Sequence, residues 1–164
     1  MDIYEILKEL NINYKKYDYD KNAKTCEEIT NLLPKDMPGV RTKNLLLKIK
    51  KKDEYIMVMV DENKKVDLKK LSKKLQVKNL SFASEAQLKE LFDIELGSLS
   101  YIAFLNYKKD NFKVIIDKEM WESNEEFDSH PNKLGTVLLL KKEDIIKIFK
   151  HAKVFPEYME FEGK

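Results

Sequence analysis

The sequence predicts a single α+β domain. Stretches with helical spacing alternate along the chain with stretches of strand-like alternation. Most of the strands follow one another through short polar turns, as hairpins do. No internal repeat or low-complexity linker divides the 164 residues, a length that buries a real core as one unit.

The elements follow in order. Ile3, Ile6, Leu7 and Leu10 have the spacing of a short amphipathic helix, and Tyr14–Tyr19 alternates aromatic and charged residues as a strand does. Thr25-Cys26-Glu27-Glu28 has the form of a capping box, and Ile29, Leu32 and Leu33 continue a helix that Pro34 stops. The turn signal Pro38-Gly39 precedes a strand ending near Lys50, and Lys51–Glu54 reads as a hairpin connection. Tyr55–Val60 is apolar at every position, the mark of a central strand covered on both faces. Asp67 caps a helix whose Leu68, Leu71 and Leu75 form a buried stripe under a lysine-rich outer face. A short strand is expected at Leu80–Ala83. Ser84-Glu85-Ala86-Gln87 is a second capping box, opening a helix with Leu88, Leu91 and Phe92 inside. After Gly97, Tyr101–Leu105 and Phe112–Ile116 read as a hairpin around a polar turn at Lys108–Asn111. Residues 118–135 read as irregular. Val137–Leu140 is an apolar strand, and Glu143–Phe149 a closing helix.

Composition narrows the function classes. Hydrophobic residues are 43% and charged residues 37% of the chain, as in a soluble globular protein with a charged surface. The apolar runs are too short to cross a bilayer, and the acidic, amphipathic N-terminus fits neither a signal nor a transit peptide. One cysteine, Cys26, rules out an intrachain disulfide framework, so the cytoplasm is the expected compartment and no membrane partner is expected. The net charge of +2 does not announce a nucleic-acid binder, although lysines cluster at Lys48–Lys52, Lys64–Lys78 and Lys108–Lys109. Four scattered glycines make neither a phosphate loop nor a dinucleotide fingerprint, and no zinc spacing or nucleophile elbow exists. His151, near the end of the last helix, suits the helix dipole as well as it suits a base.

Two places remain. On strand alternation Lys43, Leu45, Leu47 and Ile49 share one face, so a lysine heads a row that should be apolar. Such a lysine reaches a pocket, pairs with a carboxylate or extends to solvent, and alternation leaves the three open. His130-Pro131-Asn132 lies in a loop before a buried strand. It either lines a cavity mouth or holds the loop by hydrogen bonds to backbone.

At these residues the chain resembles a known family. Pro38-Gly39-x-x-Thr42-Lys43-Asn44-Leu45-x-Leu47-Lys48 is similar to the motif around the functional lysine of the YbaK/ProX aminoacyl-tRNA editing superfamily. "VDLKKLSKKL", "LSFASEAQLKELFDIELGSL", "VIID", His130-Pro131-Asn132 and "EDIIKIF" resemble its successive blocks in the correct order, over about residues 2 to 150. The free-standing ProX (PrdX) type is the branch it resembles most.

The resemblance implies a mixed, mostly antiparallel curved sheet surrounded by helices, spanning residues 1–150 with a tail at 151–164. It implies hydrolysis of the ester joining a wrong amino acid to tRNA, chiefly alanine on proline tRNA, with no cofactor and no metal. The implied partner is tRNA(Pro) mischarged with a small amino acid, with prolyl-tRNA synthetase as a further partner. Carried over by position, Lys43 is the catalytic lysine. Asn44, Gly97, Tyr101, Ile102, Ala103, His130, Asn132 and Gly135 border the substrate pocket. Lys48, Lys50, Lys51, Lys69 and Lys73 are the expected phosphate contacts. Ser100-Tyr101-Ile102-Ala103 and Leu134-Gly135-Thr136-Val137 depart from the usual pattern, which bears on the amino acid accepted. Two other readings stand beside the deacylase: a non-catalytic aminoacyl-tRNA or amino-acid binding module with the same fold, and a general nucleic-acid binder using the lysine clusters.

Overall fold

The computed structural model describes residues 2–95, 97–106 and 112–161. In chain order the elements are α1 (Ile3–Glu9), β1 (Tyr14–Asp18), α2 (Cys26–Leu32), β2 (Thr42–Ile49), β3 (Glu54–Asp61), α3 (Leu68–Leu75), β4 (Leu80–Phe82) and α4 (Glu85–Phe92). A 3₁₀ helix, Tyr101–Asn106, precedes β5 (Phe112–Asp117), α5 (Lys118–Ser123), β6 (Glu126–Ser129), β7 (Thr136–Lys141), α6 (Lys142–Ala152) and β8 (Glu157–Met159). The caps read from sequence form: Thr25, Asp67 and Ser84 each accept a first-turn N–H, and Ser84 and Gln87 complete a reciprocal box.

The strands make two sheets, one of order β1-β7-β6 and one of order β4-β2-β3-β5-β8. The first is antiparallel throughout, while the second is mixed, because β3–β5 and β5–β8 are parallel. β3 is buried on both faces, as its unbroken apolar run predicts. Tyr55, Met57 and Met59 face the main core with Phe92, Ile102, Phe104 and Leu138, whereas Ile56, Val58 and Val60 face a second cluster under Leu71 of α3. β2 splits the same way, with Leu46 on the main-core side and Leu47 and Ile49 on the other.

Three expectations are corrected. Tyr101–Leu105 is 3₁₀ helix and not strand: Ser100 Oγ accepts the Ile102 N–H, Ser100 O accepts the Ala103 N–H, and residues 101–104 are wholly buried. An apolar run without alternation serves a buried turn as well as a strand. β5 is therefore not the second arm of a hairpin; it enters beside β3 in parallel, which requires a crossover connection. The turn expected at Lys108–Asn111 lies outside the described residues. Residues 118–135 hold regular structure, α5 and β6, hidden in sequence by their acidic residues. Trp121 stacks on Phe127 at 5.1 Å and fixes the two elements together. Beyond α6, β8 adds a parallel edge to β5, and Tyr158 lies 5.7 Å from the Trp121 ring.

The segment Gly39–Thr42 joins the two sheets. Val40 bridges to Phe127, donating to Glu126 O at 3.1 Å and accepting from Asp128 N at 3.3 Å. Gly39 makes this approach possible: its φ is +83°, and a Cβ there would stand 2.7 Å from Glu126 O. The candidate functional residues Lys43, Asn44 and His130 lie close to this seam.

Candidate functional site

Past the Pro38-Gly39 turn, two consecutive residues, Arg41 and Thr42, are tied to one carboxylate. Asp128, at the end of β6, accepts the Thr42 N–H at 2.8 Å and the Thr42 hydroxyl at 3.0 Å through the same oxygen, Oδ1. Its other oxygen lies 3.7 Å from Arg41 Nε. Burial pushes the Asp128 carboxyl up to about 6, against the downward pull of Arg41 and the Thr42 hydrogen bonds. The first residue of β2 is thereby pinned, and Lys43 follows it directly.

Lys43 lines a cavity of about 280 Å³, at the small end of the ~300–1,000 Å³ usual for small-molecule sites. α2, the start of β2, Glu62 after β3, the Gly97–Leu99 segment and the end of β6 enclose it. Among the described residues the Lys43 ammonium makes no hydrogen bond or ion pair. Of the three fates open to it, pairing finds no partner among the described residues, and the side chain stands partly exposed in the cavity wall.

Asn44 donates from Nδ2 to Leu99 O at 3.1 Å, while its Oδ1 is buried with no donor among the described residues. An orphaned buried acceptor costs about 1–3 kcal/mol, so this oxygen is an unfilled demand for an N–H or O–H. His130 is held twice: Tyr19 Oη is 2.8 Å from Nε2, and the Ser100 hydroxyl donates to the His130 carbonyl at 2.8 Å. Burial pushes its pKa down to about 4, so the imidazole is neutral at pH 7. Glu62 accepts the Thr30 hydroxyl at 2.7 Å. Cys26, an exposed free thiol, lines the same cavity. Ile29, Leu45, Leu88 and Leu99 supply apolar wall. Among the described residues no group of three His, Cys, Asp or Glu side chains could hold a metal ion.

The structure thus brings Lys43, Asn44, Gly97 and His130 into one cavity and leaves the other expected residues elsewhere. Tyr101, Ile102 and Ala103 do not border it. They lie in the core, at most 1% exposed, because an all-apolar turn is driven under the site and not into its wall. They lie beneath it, where the Tyr101 hydroxyl is hydrogen-bonded to Ser129 Oγ. Asn132 lines a neighbouring groove, and Gly135 occupies a turn at φ +94° whose carbonyl accepts the Tyr19 N–H. Lys48 lies over the Tyr55 ring at 5.8 Å, five residues along β2 from Lys43, or roughly 17 Å. Lys50 and Lys51 lie further along the same hairpin, and Lys69 and Lys73 on the exposed face of α3.

Asp128, Thr42, Glu62 and Tyr19 are the residues that sequence reasoning missed. Thr42 and Asp128 had a faint signal, one beside Lys43 and the other two residues before His130, the strand spacing that shares a face. Tyr19 and Glu62 had none, because what joins them to the site is contact across 111 residues in one case and 32 in the other.

Residues 20–148 match the family model described as an aminoacyl-tRNA editing domain. The chain is 32% identical over 144 residues to the prolyl-tRNA editing protein ProX of Acetoanaerobium sticklandii, covering 88% of this chain and 86% of that one. It is 30% identical over 129 residues to prolyl-tRNA synthetase associated domain-containing protein 1 of Bos taurus, covering 77% and 75%. Among solved structures, a candidate trans-editing enzyme for prolyl tRNA synthetase superposes with a TM-score of 0.70 over 98% of this chain and 96% of that one. At 12% identity that likeness speaks for the fold alone. The mixed sheet flanked by helices is the architecture they share.

Proposed function

This chain belongs to the aminoacyl-tRNA editing domain family, and on that premise we infer that it is a trans-acting deacylase. Its substrate on this reading is proline tRNA carrying the wrong amino acid, with alanine the residue removed. The observation that carries the reading is an ammonium, Lys43, without an ion-pair partner among the described residues, beside an orphaned acceptor, Asn44 Oδ1, in a small cavity of mixed polar and aliphatic walls.

An aminoacyl ester is already activated, so its hydrolysis needs a placed water and stabilisation of the charge that develops on the carbonyl oxygen. Lys43 supplies that positive charge without first breaking an ion pair. Asn44 Oδ1 accepts from the α-ammonium of the amino acid or from a ribose hydroxyl, filling the hydrogen bond it lacks. The neutral His130, fixed by Tyr19, presents a polar wall without a competing cation. Water adds to the carbonyl, the tetrahedral intermediate collapses, and the ribose oxygen leaves and takes up a proton. Free amino acid and intact tRNA result. The apolar wall of Ile29, Leu45, Leu88 and Leu99 suits a small apolar side chain, which supports alanine as the residue removed.

The test is to incubate the protein with proline tRNA charged in turn with alanine, cysteine, serine or proline, alongside Lys43→Ala. Loss of alanine much faster than in buffer, with Lys43→Ala near the buffer rate, is the expected result. If no charged tRNA is deacylated faster than in buffer, the reading is wrong. Faster loss of cysteine or serine than of alanine overturns the choice of amino acid alone.

A further inference from the structure

A second concavity, of about 780 Å³, opens directly beside the Lys43 cavity, and Lys24, Leu88 and Gly97 line both. Its walls come from the loop after β1, from α4 and the residues that follow it, and from the loop after β6. Lys21, Lys24, Lys89 and Lys133 stand around it, all exposed and none paired with a carboxylate among the described residues. Three carboxylates share the rim. Glu95 accepts the Leu134 N–H at 2.8 Å, Glu85 lies in the first turn of α4 and Asp93 at its C-terminal end, and none of the three pairs with the four lysines among the described residues. Asn132, held at φ +65°, lines the same groove and has a buried Oδ1 without a donor among the described residues.

We propose that this groove receives the single-stranded 3′ end of the RNA whose aminoacyl ester enters the Lys43 cavity. The proposal rests on the deacylase reading for the direction in which the RNA runs. The cavity holds an aminoacyl group with little beyond it, so the following nucleotides must leave through its mouth, and the shared wall at Lys24 and Gly97 opens onto the groove. Gly97 adds no side chain at that crossing; a Cβ there would come within 3.4 Å of Lys24 O. Lys21, Lys89 and Lys133 then meet backbone phosphates, and Asn132 Oδ1 accepts from a base amine or a 2′-hydroxyl. The lysines of the β2–β3 hairpin, roughly 17 Å or more from Lys43, do not line this groove.

The probe is a hairpin RNA with a four-nucleotide 3′ tail ending in CCA, compared with the same hairpin trimmed blunt, by fluorescence anisotropy at several salt concentrations. Wild type is expected to bind the tailed RNA at least tenfold more tightly. The triple variant Lys21→Ala, Lys89→Ala, Lys133→Ala is expected to lose that preference and to flatten the log–log salt slope by about 2, at ~0.7 per single-strand phosphate contact. On alanyl-tRNA the triple variant should lose kcat/KM at least tenfold, and on alanyl-adenosine much less. Equal binding of tailed and blunt RNA by wild type, or a tail preference that survives in the triple variant, overturns the groove. Lysine-dependent tail binding without hydrolysis of any charged tRNA leaves the groove standing and sinks the deacylase reading. Hydrolysis of alanyl-tRNA that the triple variant matches does the reverse.

Discussion

Asp128 and His130 stand two residues apart with opposite effects on stability, and the pair makes a pH experiment with a definite sign. Asp128 is raised from 3.8 to about 6. Its stabilising contribution is complete below the unfolded value and is lost as pH rises through 6. The loss is (6 − 3.8) × ~1.36, or about 3 kcal/mol. His130 is lowered from 6.5 to about 4. Its contribution is present above 6.5 and is lost as pH falls through 4, by (6.5 − 4) × ~1.36, again about 3 kcal/mol. Between pH 4 and 7 the two nearly cancel in the wild type, and removing either exposes the other. Urea unfolding of wild type, Asp128→Asn and His130→Gln at half-unit steps from pH 4 to 7.5 measures this, because background titrations drop out of the differences. The stability of Asp128→Asn relative to wild type should rise by about 3 kcal/mol across the window, and that of His130→Gln should fall by a similar amount. Asparagine keeps an acceptor for Thr42, so a constant offset is immaterial and the slope is the test. Curves for both variants that stay parallel to wild type would refute the assignment of buried, ionisable states to these two groups.

Lys43→Ala should lower kcat/KM for alanyl-tRNA by about 10²–10³, the usual effect of deleting a group that stabilises developing negative charge. Its melting temperature should stay within about 2 °C of wild type, because the ammonium has no partner to lose. Gly39→Ala should destabilise the fold by roughly 2–5 kcal/mol in urea, from positive-φ strain plus the 2.7 Å approach to Glu126 O. Activity should fall with it, since the same backbone carries Thr42. Lys64 and Asp117 form a buried pair at 2.9 Å, with side chains 9% and 2% exposed. Lys64→Met alone should cost about 3–5 kcal/mol by stranding the carboxylate, and adding Asp117→Leu should recover most of it.

Helix boundaries were legible because they depend on neighbours in sequence: the caps at Thr25, Asp67 and Ser84 sit where the hydroxyl and carboxylate patterns place them. β3 was legible because six consecutive buried residues leave little choice of environment. The 3₁₀ turn at Tyr101 was not, since an apolar run is equally a strand and a buried turn until its partners are known. β6 was not, because Glu125, Glu126 and Asp128 look like a solvated loop. In the fold Asp128 is only 8% exposed, bound to Thr42 and Arg41.

The sequence by itself determined the fold class, the family and the position of Lys43 at the head of an apolar row, because periodicity and ordered motifs are properties of one chain read along its length. Whether that lysine pairs or stands free was decided only by tertiary structure. So were the turning of Asp128 onto Thr42, the binding of Tyr19 to His130 and the sinking of Tyr101–Ala103 beneath the cavity. Each depends on contacts between segments far apart in sequence, where the local pattern permits several partners and the packed core allows one.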